Sequence, residues 1–543
     1  MAANLYFARD SKLFVEMDFK LWEVPILDGF SFSQTTNSSD ITLAEMQNAD
    51  GISRRGRRLF TDSLAPAEWS FSTYVRPYYS NNEHHAVEEV LWALMAGADT
   101  YGTSAEAGAM LTITESDSAT DRTNGTYTFD DSDFTTSGQG VGGILQVVIA
   151  AGAVDSVTIL ASGSAYDAND TITIAAAKVG GTGDLVITVA SVEDDISTAF
   201  KRTTNPDSSS PFGSTVAQGD TFSQNINFGQ SNRSVLSTCN FYFVMETNTT
   251  NPMVYRLKNA AINEASIDFD VDGIATINWS GFASNIEDMQ SANRVHSISS
   301  GTSAAPPTLS AVLNAADTAK GSAATFGELA YNRGEDGRLY LLTGASPATE
   351  TRFTTDATTS VAAITTAVDS TSTFIRNRLT QLLIDNNSTT NGLNSSYSMT
   401  LTGGNVTVSN NITYLVPEEL GKVNVPIEHV TGGRTVTGSY TCYLTFDDSS
   451  NAGTSSDFYN DLTAAGVGLD LVVNDFRVEF QIGGNVTNTP RLYLTIPKCH
   501  IEVPSHSIED VISVETNFGA YTTDFDKADE FRLVYFGDET ASV

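Results

Sequence analysis

Two stretches of strand-like alternation occur twice in this chain, in the same order, and that repetition constrains the fold more than any other feature. "RRLFTDSLAPAEWSFSTYVRP" at 57–77 parallels "GRTVTGSYTCYLTF" at 433–446. Each has an arginine, a Thr/Ser link, and a strand whose large apolar or aromatic residues alternate. "NEASIDFDVDGIATINWSGFA" at 263–283 parallels "KCHIEVPSHSIEDVISVETNFGA" at 498–520. Each has a strand, a short acidic turn, and a second strand ending in adjacent glycine and aromatic residues. Such an echo reads as two copies of one β-unit, the first interrupted by inserted chain. At 543 residues the chain exceeds one hydrophobic core, and about two to four domains are expected.

Period-two alternation dominates elsewhere too. Phe30, Phe32, Ile41 and Leu43 alternate, and Trp69, Phe71, Thr73 and Val75 fall on one face of a strand. Residues 83–95, "EHHAVEEVLWALM", predict a short amphipathic helix with an apolar stripe of Val87, Val90, Leu91 and Leu94. Residues 372–386, "STFIRNRLTQLLIDN", predict a second helix, capped by Thr371 or Ser372, with Ile375, Leu379, Leu382 and Leu383 as its stripe. Residues 135–195 change texture to short β-runs separated by Gly, Asn and Asp, which reads as a small all-β module. Residues 290–370 are rich in Ala, Ser and Thr and carry few core signals, "GRLYLLTG" being one strand candidate.

Charge and cysteine usage narrow the function classes. The balance is 65 acidic to 29 basic residues, a formal net charge of −36, which argues against gripping nucleic acid by its phosphates. It is compatible with a wall past which nucleic acid slides without sticking. Cys239, Cys442 and Cys499 are far apart and lie in apolar or β-type contexts, so buried free thiols are expected rather than a disulfide framework. The N-terminus has no apolar signal core, and no run of 18 apolar residues occurs, so neither secretion by a classical signal nor a spanning helix is expected.

No constellation reaches the level of a catalytic site. His84 and His85 with Glu88 and Glu89 lack the His-Glu-x-x-His spacing of a zinc protease and read as a polar helix face. Asp167, Asn169 and Asp170 lack the rest of a calcium loop and read as a turn. "GGTGDLV" lacks the Lys-Ser/Thr of a phosphate loop. His500 and His506 flank Pro504 near Cys499 without a readable nucleophile geometry, and His429 has no readable partner. No metal, cofactor or catalytic residue is expected. Asp268, Asp270 and Asp272 alternate, placing three carboxylates on one face, a pattern typical of a solvated or lumen wall. Arg54, Arg55, Arg57 and Arg58 crowd into five positions. They read as an exposed basic loop, or as an interface where planar guanidinium groups pair with carboxylates of a neighbour; no second basic region supports a nucleic-acid patch.

"WEVPILDGFSFSQTTNSSDITLAEM", "SRRGRRLFTDSLAPAEWSFSTYVRP", "MVYRLKNAAINEASIDFDVDGIATINWSGFA" and "CHIEVPSHSIEDVISVETNFGAYTTDFD" together resemble tail tube proteins of tailed bacteriophages. The resemblance covers roughly residues 5–97, 230–290 and 395–540. It implies a mainly β fold with two tandem tube-like β-sandwich or barrel domains, short flanking helices and a small all-β insertion. The implied domains are 1–97 with 226–290, a second at 371–543, an outward-facing insertion at 98–225, and 291–370 as a linker or second decoration. The implied role is a non-enzymatic virion subunit in the phage tail. Its chains would form stacked rings, trimeric and pseudo-hexameric, whose acidic lumen conducts double-stranded DNA during ejection. Partners would be other copies, tail terminator, baseplate or tip proteins, and a sheath where the tail has one. Residues 40–63 would be a loop contacting the next ring or subunit through the four arginines, and Asp268, Asp270 and Asp272 would be lumen candidates. The competing class is a receptor- or glycan-binding virion protein, supported by the Thr/Ser/Gly-rich insertion but weakened by Tyr166 being the single aromatic of residues 135–195.

Overall fold

The computed structural model describes residues 6–17, 20–40, 59–80, 83–95, 110–115, 117–129, 133–138, 141–164, 166, 169–192, 200–203, 223–227, 236, 238–246, 252–301, 307–333, 337–342, 351–352, 373–387, 396–415, 426, 428–446, 453–467, 475–484, 489–508, 511–522, 530–538 and 540. The fold is mainly β. The chain divides into two compact units, residues 1–102 with 200–543, and residues 103–199. No helix among the described residues is long and apolar enough to cross a membrane.

The larger unit runs through one strand-pairing scheme twice. The first pass contains β1 (Ser11–Met17), β2 (Lys20–Val24), β3 (Ser31–Ser33), β4 (Thr36–Asp40), β5 (Leu59–Leu64) and β6 (Ala67–Tyr74). It continues with helix α1 (Glu89–Met95), β7 (Cys239–Met245), β8 (Met253–Asp270), β9 (Thr276–Ala283) and β10 (Asn285–Asp288). The second pass contains β11 (Gln381–Asn386), β12 (Ser396–Met399), β13 (Leu401–Ser409), β14 (Thr413–Leu415), β15 (Glu428–Val430) and β16 (Thr435–Tyr443). It continues with helix α2 (Ser455–Val467), β17 (Phe476–Ile482), β18 (Arg491–Ile501), β19 (Ser505–Ile508), β20 (Ile512–Ala520) and β21 (Arg532–Phe536).

Eight antiparallel partnerships of the first pass recur in the second. β1–β2 and β1–β7 recur as β11–β12 and β11–β17. β7–β8 and β8–β10 recur as β17–β18 and β18–β21. β3–β6 and β4–β5 recur as β13–β16 and β14–β15. β6–β9 and β8–β9 recur as β16–β20 and β18–β20. The short β19 continues β18 along β20, so these two strands together hold the place of the long β8.

The register carries the same correspondence down to single residues, and it reveals a reciprocal exchange. Trp69 on β6 faces Gly281 on β9, whereas at the matching positions Gly438 on β16 faces Phe518 on β20. A Cβ at position 281 would lie 2.6 Å from Trp69 Cζ2, and one at 438 would run into the Phe518 ring. Each crossing therefore holds one large ring and one glycine, in opposite strands.

Between the passes, Val295–Ile298, Leu329–Asn332 and Arg338–Leu341 form a three-stranded mixed sheet. One face buries Leu329, Tyr331 and Leu341 against Phe14, Leu21, Tyr242 and Val254 of the first pass. The other is covered by helix Leu309–Lys320 through Val312 and Ala316, over Ala330, Tyr340 and Leu342. Thr308 caps this helix by accepting from Ala311 N at 3.3 Å, and Gly321 ends it in the left-handed conformation. The sequence shows few core signals here because alanines (Ala316, Ala324 and Ala330) supply part of the contact between Val312, Tyr340 and Leu342.

Two helix expectations change. Residues 372–386 do not form the second helix: a 3-10 turn at Asn377–Leu379 precedes strand β11. Short apolar runs satisfy both periodicities, and here pairing with β12 and β17 decides, burying Leu382 and Ile384 while Leu379 is 49% exposed. In 83–95, residues Glu83–Ala86 form a strand and only Glu89–Met95 are helical. That helix is buried on every side rather than amphipathic, so the histidines and glutamates do not share a helix face.

The smaller unit packs a sheet of Gly125–Phe129, Val141–Ala150 and Ala153–Ser164 with a sheet of Met110–Glu115, Phe134–Thr136, Thr171–Ile174 and Leu185–Val192. Alternate residues Leu145, Val147, Ile149, Ile172, Ile174, Ile187 and Val189 make its core, with Tyr166. Arg122 is buried beside Asp117 and donates to Gly180 O at 3.1 Å and Gly183 O at 3.3 Å, tying the 180–183 turn to the opposite loop. The hydrogen bond from Arg122 holds the Asp117 carboxyl below its usual range. Arg122→Ala is expected to lower the module's stability by about 3 kcal/mol, because it strands a half-buried carboxylate and two carbonyls. Thermal unfolding of the intact chain, followed by hydrogen exchange in 110–192, checks this.

Candidate functional site

Eight strands, in the order β3–β6–β9–β8–β13–β16–β20–β19, form one continuous antiparallel sheet that crosses both passes. The two passes meet where Glu264–Asp270 of β8 pair with Gly403–Ser409 of β13. Strand geometry sends alternate residues to opposite faces. One face is the core: Trp69, Phe71, Ile277, Trp279, Ile267, Phe269, Val406, Val408, Val436, Tyr440, Val514 and Phe518 are buried. Trp279 Nε1 finds its partner there in Thr73 Oγ1 at 2.9 Å.

The opposite face is polar across its middle rows, with Phe282 and Tyr443 toward its ends. One row reads Ser31, Ser70, Ser280, Glu264, Ser409, Thr435 across successive strands, and the next reads Ser72, Asn278, Ser266, Thr407, Thr437. A third row reads Tyr74, Thr276, Asp268, Asn405, Ser439, Asn517. Among the described residues, no wall position on these eight strands is lysine or arginine. The acids are Glu68, Glu264, Asp268, Asp270 and Glu515, four of the five in the first pass.

A hydrogen-bond chain stiffens the wall across the meeting of the passes. Ser72 Oγ donates to Asn278 Oδ1 at 2.6 Å, and Asn278 Nδ2 donates to Asp268. Ser266 Oγ lies 3.4 Å from Asp268 Oδ1 and 3.0 Å from Thr407 Oγ1. Farther along, Ser439 N and Oγ donate to Asn405 Oδ1 at 3.1 and 3.3 Å. Half-burial raises the Asp268 pKa, against the hydrogen bonds from Ser266 and Asn278. Small polar groups that bond each other have fewer donors left for an external anion.

The sequence-predicted residues divide. Asp268 and Asp270 lie on the wall, one strand position pair apart. Asp272 does not: it sits in the turn beyond β8, with Arg378 Nη2 at 3.8 Å, both side chains largely exposed. Arg54, Arg55, Arg57 and Arg58 lie outside the described residues, between β4 and β5. The three cysteines are buried free thiols, and burial pushes Cys442 up to about 11. His429 is buried and accepts from Leu236 N at 3.0 Å, a structural role. His506 packs edge-on against Tyr459, away from any nucleophile arrangement. Among the described residues no group of three His, Cys, Asp or Glu is placed to hold a metal. Sequence reasoning found these strands but not most of the wall, because which Ser, Thr and Asn positions lie side by side follows only from the strand pairing.

Both outer edges of this sheet remain without a partner strand among the described residues: β3 beside β6, and β19 beside β20. The two ends of the strands expose apolar side chains. Leu59, Phe60, Leu415 and Val430 project on the hairpins β4–β5 and β14–β15, where β6 and β16 begin. Val271, Ile274, Phe446 and Val511 project at the other end.

No family model matches the chain. Over 161 residues it is 35% identical to tail tube protein pb6 of Escherichia phage T5, a stretch that covers 30% of this chain. The match spans 32% of that relative's length.

Proposed function

We propose that the chain is a non-enzymatic structural subunit of a phage tail tube, located in the virion tail. Three copies would close into a ring of six similar β-units around a polar, acid-bearing bore that passes double-stranded DNA. The likeness to a tail tube protein supports the tail assignment. The observation that carries the ring is the eight-stranded wall with one pairing scheme used twice and an open edge at each side. Unpaired edges invite strand addition, and ring closure removes them.

The joint inside the chain supplies a template for the joint between chains. Within the chain, Ser266 lies opposite Thr407 and Asp268 opposite Asn405. The residue correspondence between the passes maps Ser266 to Ser505, Asp268 to Ser507, Thr407 to Ser33 and Asn405 to Ser31. The closing pair is therefore β19 of one copy against β3 of the next, Ser505 opposite Ser33 and Ser507 opposite Ser31. This contact is head-to-tail, and an odd or even number of copies closes it only through rotation. Rings would stack with the β4–β5 and β14–β15 hairpins of one meeting the opposite rim of the next. Arg54, Arg55, Arg57 and Arg58, between β4 and β5, would pair there with carboxylates of the neighbour.

Cysteines at Ser33 and Ser505 test the register. Directly opposed residues of a non-hydrogen-bonded antiparallel pair stand about 4.5 Å apart at Cα, within disulfide range. The native thiols are buried and give little background. The expected product on oxidation is a closed covalent trimer, visible end-on as a hollow ring with six inner lobes. Linked hexamers would keep the tube and discard the threefold count. Dispersed single chains with no linkage at high concentration would reject the ring and favour a surface-binding role.

A further inference from the structure

The two ends of the wall are unequal between the passes. At the end where β16 stops and β19 turns into β20, Phe446 is 89% exposed and Ile508 79%. They belong to one apolar patch. Ile508 lies directly opposite Ile512, Ile512 O accepts from Leu444 N at 3.0 Å, and exposed Val511 precedes Ile512. At the same end of the first pass, Val271 and Ile274 are only 38% and 37% exposed, and Asp272 between them already has Arg378 Nη2 at 3.8 Å. The hairpin end is unequal in the opposite sense. Leu59 and Phe60 on β5 are more exposed than Leu415 on β14 and Val430 on β15.

Charge in the sequence follows the same division. Asp447 and Asp448 directly follow Phe446, and Glu509 and Asp510 are the two residues between Ile508 and Val511. Chain connectivity alone therefore keeps these acids beside the second-pass patch. Arg57 and Arg58 directly precede Leu59, and residues 41–58 carry the four arginines against two acids, Glu45 and Asp50. The matching link of the second pass, residues 416–427, carries Glu418 and Glu419 against one lysine, Lys422.

We propose that successive copies along the tube meet out of step by one pass: the Phe446, Ile508 and Val511 end of a second pass seats on the Leu59–Phe60 hairpin of a first pass in the next ring. This register rests on the ring reading above and adds which end meets which hairpin. The most exposed apolar side chains of each end then cover one another, where burial is most favourable. Around them, the arginine link of one copy faces the acids of another, and planar guanidinium–carboxylate pairs fix the rotation between rings. Stacking in step would instead set Glu418 and Glu419 against Asp447, Asp448, Glu509 and Asp510, like charge on like charge.

Two double-cysteine variants, oxidised after assembly, read the register. Leu59→Cys with Val511→Cys is expected to give ladders of linked chains on a denaturing gel, and Leu415→Cys with Val511→Cys to leave single chains. The eight residues of β6 alone hold the two ends about 25 Å apart, so a link within one chain is out of reach. Charge reversal is the second arm. Arg57→Glu with Arg58→Glu is expected to leave rings but lose tubes, and adding Asp447→Arg with Asp448→Arg to restore tubes. Links through position 415 instead of 59, equal links through both, intact tubes linked through neither, or restoration by Glu418→Arg with Glu419→Arg instead would overturn the register while the ring stands. Wild-type chains that form no ring at all reject the ring reading itself, and the register with it.

Discussion

His506→Pro is expected to abolish the proposed ring while the single chain stays folded. In an antiparallel strand the N–H and C=O of one residue point to the same side, and sides alternate along the chain. Leu444 N bonds to Ile512 O at 3.0 Å, so Ile512 faces β16 and its opposite number Ile508 faces away from β20. His506 has the same parity and offers its N–H to the open edge. The corresponding residues on β8 behave alike: Asn263 O, of that parity, accepts from Asn410 N at 2.8 Å across the internal joint. Proline at 506 removes that outward donor and adds bulk at the edge, leaving the β19–β20 bonds in place. The edge-on contact of His506 with Tyr459 is lost too, at a cost of about 1 kcal/mol. His506→Ala loses the same ring contact but keeps the N–H, and should assemble. Mass photometry at matched concentrations reads the difference: single chains for proline, rings for alanine. Rings from both variants would mean that β19 is not the closing edge.

On the proposed tube reading, Thr437→Lys, Glu515→Lys and Asn517→Lys together are expected to turn the polar wall into a surface that holds DNA. All three are exposed on the polar face, on neighbouring strands β16 and β20. The triple variant changes each chain by four charge units, and a ring repeats that patch. Each lysine that neutralises a phosphate releases a counterion. With about 6–10 such contacts, affinity falls roughly 10³- to 10⁵-fold between about 50 and 200 mM salt. Assembled variant tubes should therefore retain duplex fragments at low salt and release them steeply as salt rises, whereas wild-type tubes retain none. Co-sedimentation of tubes with labelled duplex measures this. Intact variant tubes that hold no DNA at low salt would place these residues away from the bore.

Much of the architecture was legible because half-buried strands write their burial into every second residue. Trp69, Phe71 and Thr73 read correctly as one buried face, and the echoes at 57–77 with 433–446 and 263–283 with 498–520 fall on β6 with β16 and on β8–β9 with β18–β20. What escaped was written in pairs rather than positions. Trp69 with Gly281 and Gly438 with Phe518 conserve volume across a strand crossing, so comparison residue by residue sees two mismatches where the structure has one solution. Residues 381–386 failed for another reason: their run is too short for periodicity to separate strand from helix, and distant partners on β17 choose. Asp272 belonged to the alternating acids in sequence but not in space, because the strand ends at Asp270 and the turn redirects the chain beyond it. Glu88 was read as part of a polar helix face, yet it is buried, and one partner of its carboxyl, Tyr535 on β21, lies more than four hundred residues away.

The exchange of ring and glycine between the passes also bears on whether their strands could be traded by recombination. Recombination between two similar halves of one gene tends to swap or delete segments. A swap that carried β6 into the place of β16 would set Trp against Phe518 in one unit, where a single ring already fills the space, and leave glycine against Gly281 in the other, opening a void. Overpacking and cavities of this size each cost on the order of 1–4 kcal/mol. The two passes are thus non-interchangeable at this crossing, and stability alone would disfavour chains in which β6 and β16 had been exchanged.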